Sequence, residues 1–240
     1  MIGDALFGLD RLPEVRRQLI GATQALLGAT IGLSDQEWQS PSGLPGWARA
    51  HVACHLTQQA DRLIAVAERL RRGERDLIWP ISGPDIELEV GSRRRAVELQ
   101  VVLDTSAGRL LEVLDRLDEA DWQATLTTPA GPLSALALPY ARLNEVVLHH
   151  IDLRLALLPA DLDAQTAAWL LSWNARRLNP RLRHHRLRLL SDEGVDLTVG
   201  VAGPVHDIRG ANSSLLGWLT GRLGPEAVLG ADGVDRGGPV

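Results

Sequence analysis

The sequence contains no lysine: its 25 basic residues are all arginine and stand against 30 acidic ones, for a net charge of −5. The arginines are scattered among acids and aromatic residues make up only 4% of the chain, so it has neither the basic patch nor the stacking surface that nucleic-acid binding needs. A single cysteine, Cys54, excludes an internal disulfide framework and any cysteine-rich zinc module. No segment approaches the uninterrupted apolar length of a membrane span, and Met1-Ile2-Gly3-Asp4 lacks the charged region of a secretory signal. These absences predict a soluble, cytoplasmic protein with no nucleic-acid or membrane partner, either a monomer or a homodimer.

What is present is a long helical pattern followed by a different one. Leu12, Val15, Leu19, Ala22 and Leu26 recur at helical spacing and predict a first helix over 12–27. Ser34-Asp35-Gln36-Glu37 has the form of a capping box and predicts a short turn of helix around Trp38. A second helix is expected over 47–72, with Val52, His55/Leu56, Ala60, Leu63, Val66/Ala67 and Leu70 on its buried stripe. Residues 73–91, rich in Gly, Pro and charge, read as a long loop of possible functional use. A third helix is predicted over 93–117 and a fourth, apolar almost all round, over 138–157, with Pro139 suited to its first turn. After about residue 155 the pattern changes to a helix over 164–176, a hairpin around Ser191-Asp192-Glu193-Gly194, a helix over 213–222 and a short strand at Ala227-Val228-Leu229. The expected fold is therefore mainly α, a four-helix bundle over 1–157 followed by a small α+β domain over 158–240.

The chemistry concentrates in two places. Glu145 and His149 lie four residues apart in the fourth helix, so both project from one face. His51 and His55 repeat that spacing in the second helix. Ionisable groups are costly to bury unless they are paired or bound to a metal, so two such helices in an apolar sequence predict one facing site. The alternative is a buried polar network without a metal. His150 points about 100° away from His149 and is expected to be structural or solvent-facing. Asp152 is placed either to orient His149 or to sit as a charge at the helix end.

The segments Gly46-Trp47-Ala48-Arg49-Ala50-His51-Val52-Ala53-Cys54-His55 and Asn144-Glu145-Val146-Val147-Leu148-His149-His150-Ile151-Asp152-Leu153 resemble the paired signature of the mycothiol-dependent maleylpyruvate isomerase family, within the DinB-like metalloenzymes. Ser214-Leu215-Leu216-Gly217-Trp218-Leu219-Thr220-Gly221-Arg222 resembles that family's small C-terminal domain. The resemblance implies His55, Glu145 and His149 as ligands of Zn²⁺ or another divalent metal, with His51 in a supporting role. It further implies mycothiol as thiol cosubstrate, and Arg222 as a catalytic-site arginine able to fork onto a carboxylate of a small electrophile or dicarboxylate substrate. From the residues alone, the favoured reading of Arg222 is a cation at a helix C-terminus, and that of Cys54 a small buried residue.

Three protein ligands leave a metal open to a further group, and a thiol bound there loses its proton near neutral pH. The implied reaction is cis–trans isomerisation of maleylpyruvate to fumarylpyruvate by reversible thiol addition. Two alternatives remain: a transferase that moves mycothiol or a similar thiol onto another electrophile, to which seven tryptophans and the segment around Trp79 would suit a larger acceptor, and a non-enzymatic ligand-binding bundle.

Overall fold

The computed structural model describes residues 7–79, 85–128, 131–179 and 181–236. Its chain divides into two compact units, one formed by 9–156 and the other by 1–8 with 157–240.

The first unit is built on helices α1 (Leu12–Thr30), α2 (Asp35–Trp38), α3 (Arg49–Arg71), α4 (Asp85–Ser92), α5 (Ala96–Asp115), α6 (Glu119–Gln123) and α7 (Leu138–Asp152). The four long ones, α1, α3, α5 and α7, form the bundle. On α1 the buried side is Val15, Leu19, Thr23, Leu26 and Thr30, with Thr23 taking the inward position expected of Ala22. The Thr30 hydroxyl is satisfied by the Leu26 carbonyl at 3.0 Å, which lets a polar residue lie inside at the helix end. Ser34 makes both halves of its capping box with Glu37 and so fixes α2, whose Trp38 is fully buried. The stripe expected on α3 is buried from Val52 to Leu70 except at His55, which stays at the margin with its side chain 18% exposed.

Three segments differ from the sequence reading. The expected loop over 73–91 contains a short strand β1 (Leu77–Ile78) and helix α4, while its Pro80–Pro84 core lies outside the described residues. The region between the third and fourth helices holds α6 and a hairpin, β2 (Thr125–Thr128) with β3 (Gly131–Ser134), to which β1 adds in parallel. Pro132 is tolerated because β3 is an edge strand of that sheet. Finally, α7 ends at Asp152 rather than near 157. Arg154 adopts a left-handed φ of +52° there, and the Arg49 guanidinium takes the terminal carbonyls of Leu153 at 2.7 Å and Arg154 at 3.3 Å. A cation on the otherwise unpaired carbonyls of a helix end is doubly favourable, by hydrogen bonding and by the dipole.

The second unit contains α8 (Ala164–Leu178), capped by Asp163, a sheet ordered β5-β4-β6, and α9 (Asn212–Leu219) packed against α8. Strands β4 (Arg186–Ser191) and β5 (Asp196–Val199) form the expected antiparallel hairpin. Strand β6 (Val205–Gly210) runs parallel to β4 and was not expected; Ile208 is its one fully buried residue, too little to show an alternating pattern. In place of a strand at 227–229 there is a 3₁₀ turn, Pro225–Ala227, and a single bridge from Leu229 to Arg209. Leu187, Leu189, Val199 and Ile208 put an apolar face on the sheet, and its charges stay outside. The fold is thus mainly α with a small α+β part.

Candidate metal centre

The two signature segments meet because of how α3 begins. Gly46 takes φ +78°, open to glycine at no steric cost, and the chain then turns into α3 at Ala48. The Gly43 N–H donates to the Asp152 carbonyl at 2.6 Å, with no room for much beyond glycine against that backbone. Together with the Arg49 contacts, this fastens the start of α3 to the end of α7. Within about two turns of those ends lie the candidate ligands.

His55 Nε2 is 3.0 Å from Glu145 Oε2, and His149 Nε2 is 3.3 Å from the same oxygen. The two imidazole rings meet edge to face with centroids 4.7 Å apart. One donor atom from each of His55, Glu145 and His149 falls within 4.8 Å of the others. Donors at ordinary zinc bond lengths around a tetrahedral ion sit about 3.3 Å apart, so this set needs only small adjustments to close on a cation. On its far side, His149 Nδ1 faces Asp152 Oδ2 at 2.9 Å, and Asp152 is only 3% exposed. A carboxylate there keeps the proton on Nδ1 and turns the Nε2 lone pair toward the centre.

Burial by itself would raise the Glu145 pKa, but hydrogen bonds from His149 and His55, and their charge, hold it well below the usual carboxylate range. Burial likewise opposes charge on His149, and the hydrogen bonds to Asp152 and Glu145 outweigh it and raise that imidazole. The pocket therefore favours positive charge at the point where the three donors converge, whether a proton or a metal ion carries it.

His51 is not brought into this cluster. Its Nδ1 accepts the Ala48 N–H at 3.1 Å, completing the N-terminal turn of α3, and its Nε2 faces Glu89 Oε1 at 3.2 Å. Both nitrogens are thereby engaged in holding the helix entry and α4. Trp47 covers His55, with ring centroids 5.6 Å apart. His150 is buried rather than solvent-facing: its Nε2 has no hydrogen-bond partner among the described residues, and burial lowers its pKa, so the ring is neutral. Cys54 is buried against Gly91, and burial raises its thiol above the ordinary range despite the hydrogen bond and charge of Arg94.

Sequence reasoning passed over Arg142, one turn before Glu145 and 2% exposed. Its Nη1 donates to the Leu56 carbonyl at 2.7 Å and to Gln59 Oε1 at 2.8 Å, joining α7 to α3 beside the cluster. Burial pushes this guanidinium down to about 10, against the opposing charges of Glu145 and Asp61. An arginine inside the fourth helix's apolar run was the available signal.

In the second unit, Arg222 lies beyond α9 instead of inside a helix reaching 222. The helix stops because Gly221 takes φ +81° and the Gly217 carbonyl receives the N–H groups of both Arg222 and Leu223. Arg222 Nη1 donates to the Thr220 carbonyl at 2.7 Å, and the side chain is half-buried.

The profile of the family described as mycothiol maleylpyruvate isomerase N-terminal domain matches residues 19–154. The chain belongs to this family. That span contains every residue of the candidate metal centre. Two solved structures share the fold of the maleylpyruvate isomerase family member as a whole: the mycothiol-dependent maleylpyruvate isomerase, at 20% identity, and a histidine-to-alanine mutant of that enzyme, at 19%. Each match covers 95% of this chain and 96% of the other, with a TM-score of 0.81. No curated protein matches the chain by sequence.

Proposed function

We propose that the protein is a metal-dependent enzyme that uses mycothiol to act on a small electrophile, in the manner of a maleylpyruvate isomerase. The convergence of His55, His149 and Glu145 on one point, in a family named for that activity, is the observation that carries the reading. In it, these three residues hold a divalent cation, zinc by the nature of the donor set. When bound, such an ion lowers the pKa of a thiol and leaves room for it as a further ligand.

The protein's own residues define the rest. Asp152 keeps His149 in the tautomer that presents Nε2. Trp47 shields one side of His55 from water. Cys54 is no nucleophile, because burial keeps its thiol protonated, so the attacking sulfur has to come from a cosubstrate. In the proposed reaction, the mycothiol sulfur forms a bond to one carbon of the cis double bond and the π electrons move into the conjugated carbonyl. Rotation about the resulting single bond and expulsion of the same thiolate return the electrons and give the trans product, with no net oxidation. Arg222 is the proposed partner of a substrate carboxylate, a fork its planar guanidinium suits.

The test is metal analysis of the purified protein together with an assay of maleylpyruvate in the presence and absence of mycothiol. About one divalent ion per chain and thiol-dependent formation of fumarylpyruvate are expected. A stable thioether product would make the protein an S-transferase. A metal-free protein without thiol-dependent turnover would overturn the enzymatic reading.

A further inference from the structure

The helix that carries His55 also carries an arginine that meets no hydrogen-bond partner among the described residues. Arg62 follows His55 by seven residues, two helical turns, so at 3.6 residues per turn the two side chains leave α3 within about 20° of each other. Helical side chains lean toward the N-terminus, which tilts Arg62 back over the turn occupied by Gln58 and Gln59 and toward His55. The residue is half-buried. Arg142 is held by Leu56 and Gln59, Arg49 by the end of α7, and Arg94 acts on the Cys54 thiol. Arg62 makes no hydrogen bond and no ion pair among the described residues. Glu145, Asp61 and Glu87 act on it only through their charge, against the burial that disfavours its charged form.

A guanidinium partly withdrawn from water, with five donors in a rigid fork and none of them hydrogen-bonded among the described residues, is an incomplete arrangement. Its natural complement is a carboxylate, which can take two parallel hydrogen bonds from it. The adjacent face of α3, with Gln58 and Asp61, lines an open cleft of about 430 Å³ together with Glu87 and Arg94, so space for a small ligand lies beside the face that carries His55 and Arg62.

We propose that Arg62 is a specificity-determining residue that anchors a carboxylate of the acceptor molecule, leaving the acceptor's reacting carbon over the His55–Glu145–His149 centre. This rests on the reading that an electrophile meets a thiol at that centre. It places an anion contact on the bundle itself, two turns from a metal ligand, in addition to the role proposed for Arg222.

Maleate, a small dicarboxylate, is the probe. Its binding to the protein as purified, with metal content measured in the same samples, is followed by calorimetry for the native protein, Arg62→Lys and Arg62→Gln. Loss of a charge-assisted fork is expected to weaken maleate binding about 10- to 100-fold in Arg62→Gln, with partial recovery in Arg62→Lys. Metal content and melting temperature should be unchanged, which separates anion binding from a structural defect. Equal maleate affinity in all three proteins, or no binding to the native protein at millimolar concentration, overturns the proposal. Arg62-dependent maleate binding in a protein without thiol-dependent turnover would uphold the anion site while removing the enzymatic reading.

Discussion

The two units treat charge in opposite ways. In the sheet of the second unit, Arg188 pairs with Asp196 and Arg209 with Asp207 at the surface, while only Leu187, Leu189, Val199 and Ile208 go inside. In the bundle, α7 takes Arg142, Glu145, His149, His150 and Asp152 into or close to the interior within three turns. Burying a charge gains little stability over burying a well-packed apolar side chain, and usually costs some. A chain that folds one sheet without internal charge had no structural need for five ionisable groups in one helix. The difference supports the proposal that the metal chemistry belongs to the bundle.

The sharpest way to break this contrast is to remove the convergent donors. His55→Ala, Glu145→Ala and His149→Ala should each lose most of the bound metal and lower thiol-dependent turnover at least about 1,000-fold, as for an essential group in a catalytic unit. His150→Ala should keep its metal, because that imidazole is not among the three donors that converge and leaves α7 about 100° around from His149. Equal loss of metal in His150→Ala, measured by elemental analysis, would remove the proposed ligand set. Next in size is Arg142→Leu. It deletes the hydrogen bonds to the Leu56 carbonyl and to Gln59 and leaves a shorter side chain in a buried site between α7 and α3, a loss of about 2 kcal/mol readable by urea unfolding.

Arg222 tests the contrast from the other side. Arg222→Lys keeps the charge and loses the fork, so turnover should fall about tenfold while metal content stays at the native level. Native kinetics in a folded, metal-loaded Arg222→Ala protein would confine function to the bundle. Cys54→Ala should retain most turnover, with a modest packing loss. In the native protein, alkylation of Cys54 should remain slow at neutral pH and accelerate only at alkaline pH, since burial raises the thiol and keeps the unreactive protonated form. The smallest effect belongs to the sheet: Asp196→Ala, at an exposed pair, should leave the melting temperature within measurement error.

Much of this was legible because strong local patterns carried it. The helical stripes of α1, α3, α5 and α7, the capping box at Ser34 and the hairpin after Arg186 all follow from residue spacing over short windows. The Glu145/His149 face was visible for the same reason. What escaped depends on partners distant in sequence. His51 and His55 look equivalent by spacing, and only the Ala48 N–H and Glu89 show that one of them is occupied in holding the helix entry. The end of α7 at Asp152 is set by Arg49, about a hundred residues earlier. Strand β1 is two residues long, and β3 contains Pro132, so neither announces itself by alternation.

His55 and Glu145 are 90 positions apart along the chain, and Gly43 and Arg49 reach the end of α7 over a longer separation still. No fragment shorter than that loop can assemble the three donors, so an unfolded chain offers a cation only isolated imidazoles and carboxylates. A metal that binds the native arrangement alone then acts as a folding ligand: at a hundredfold excess over its dissociation constant it adds about 2.7 kcal/mol to stability. The melting temperature of this protein should accordingly rise with metal concentration, and a chelator should lower it, even in samples given neither thiol nor substrate.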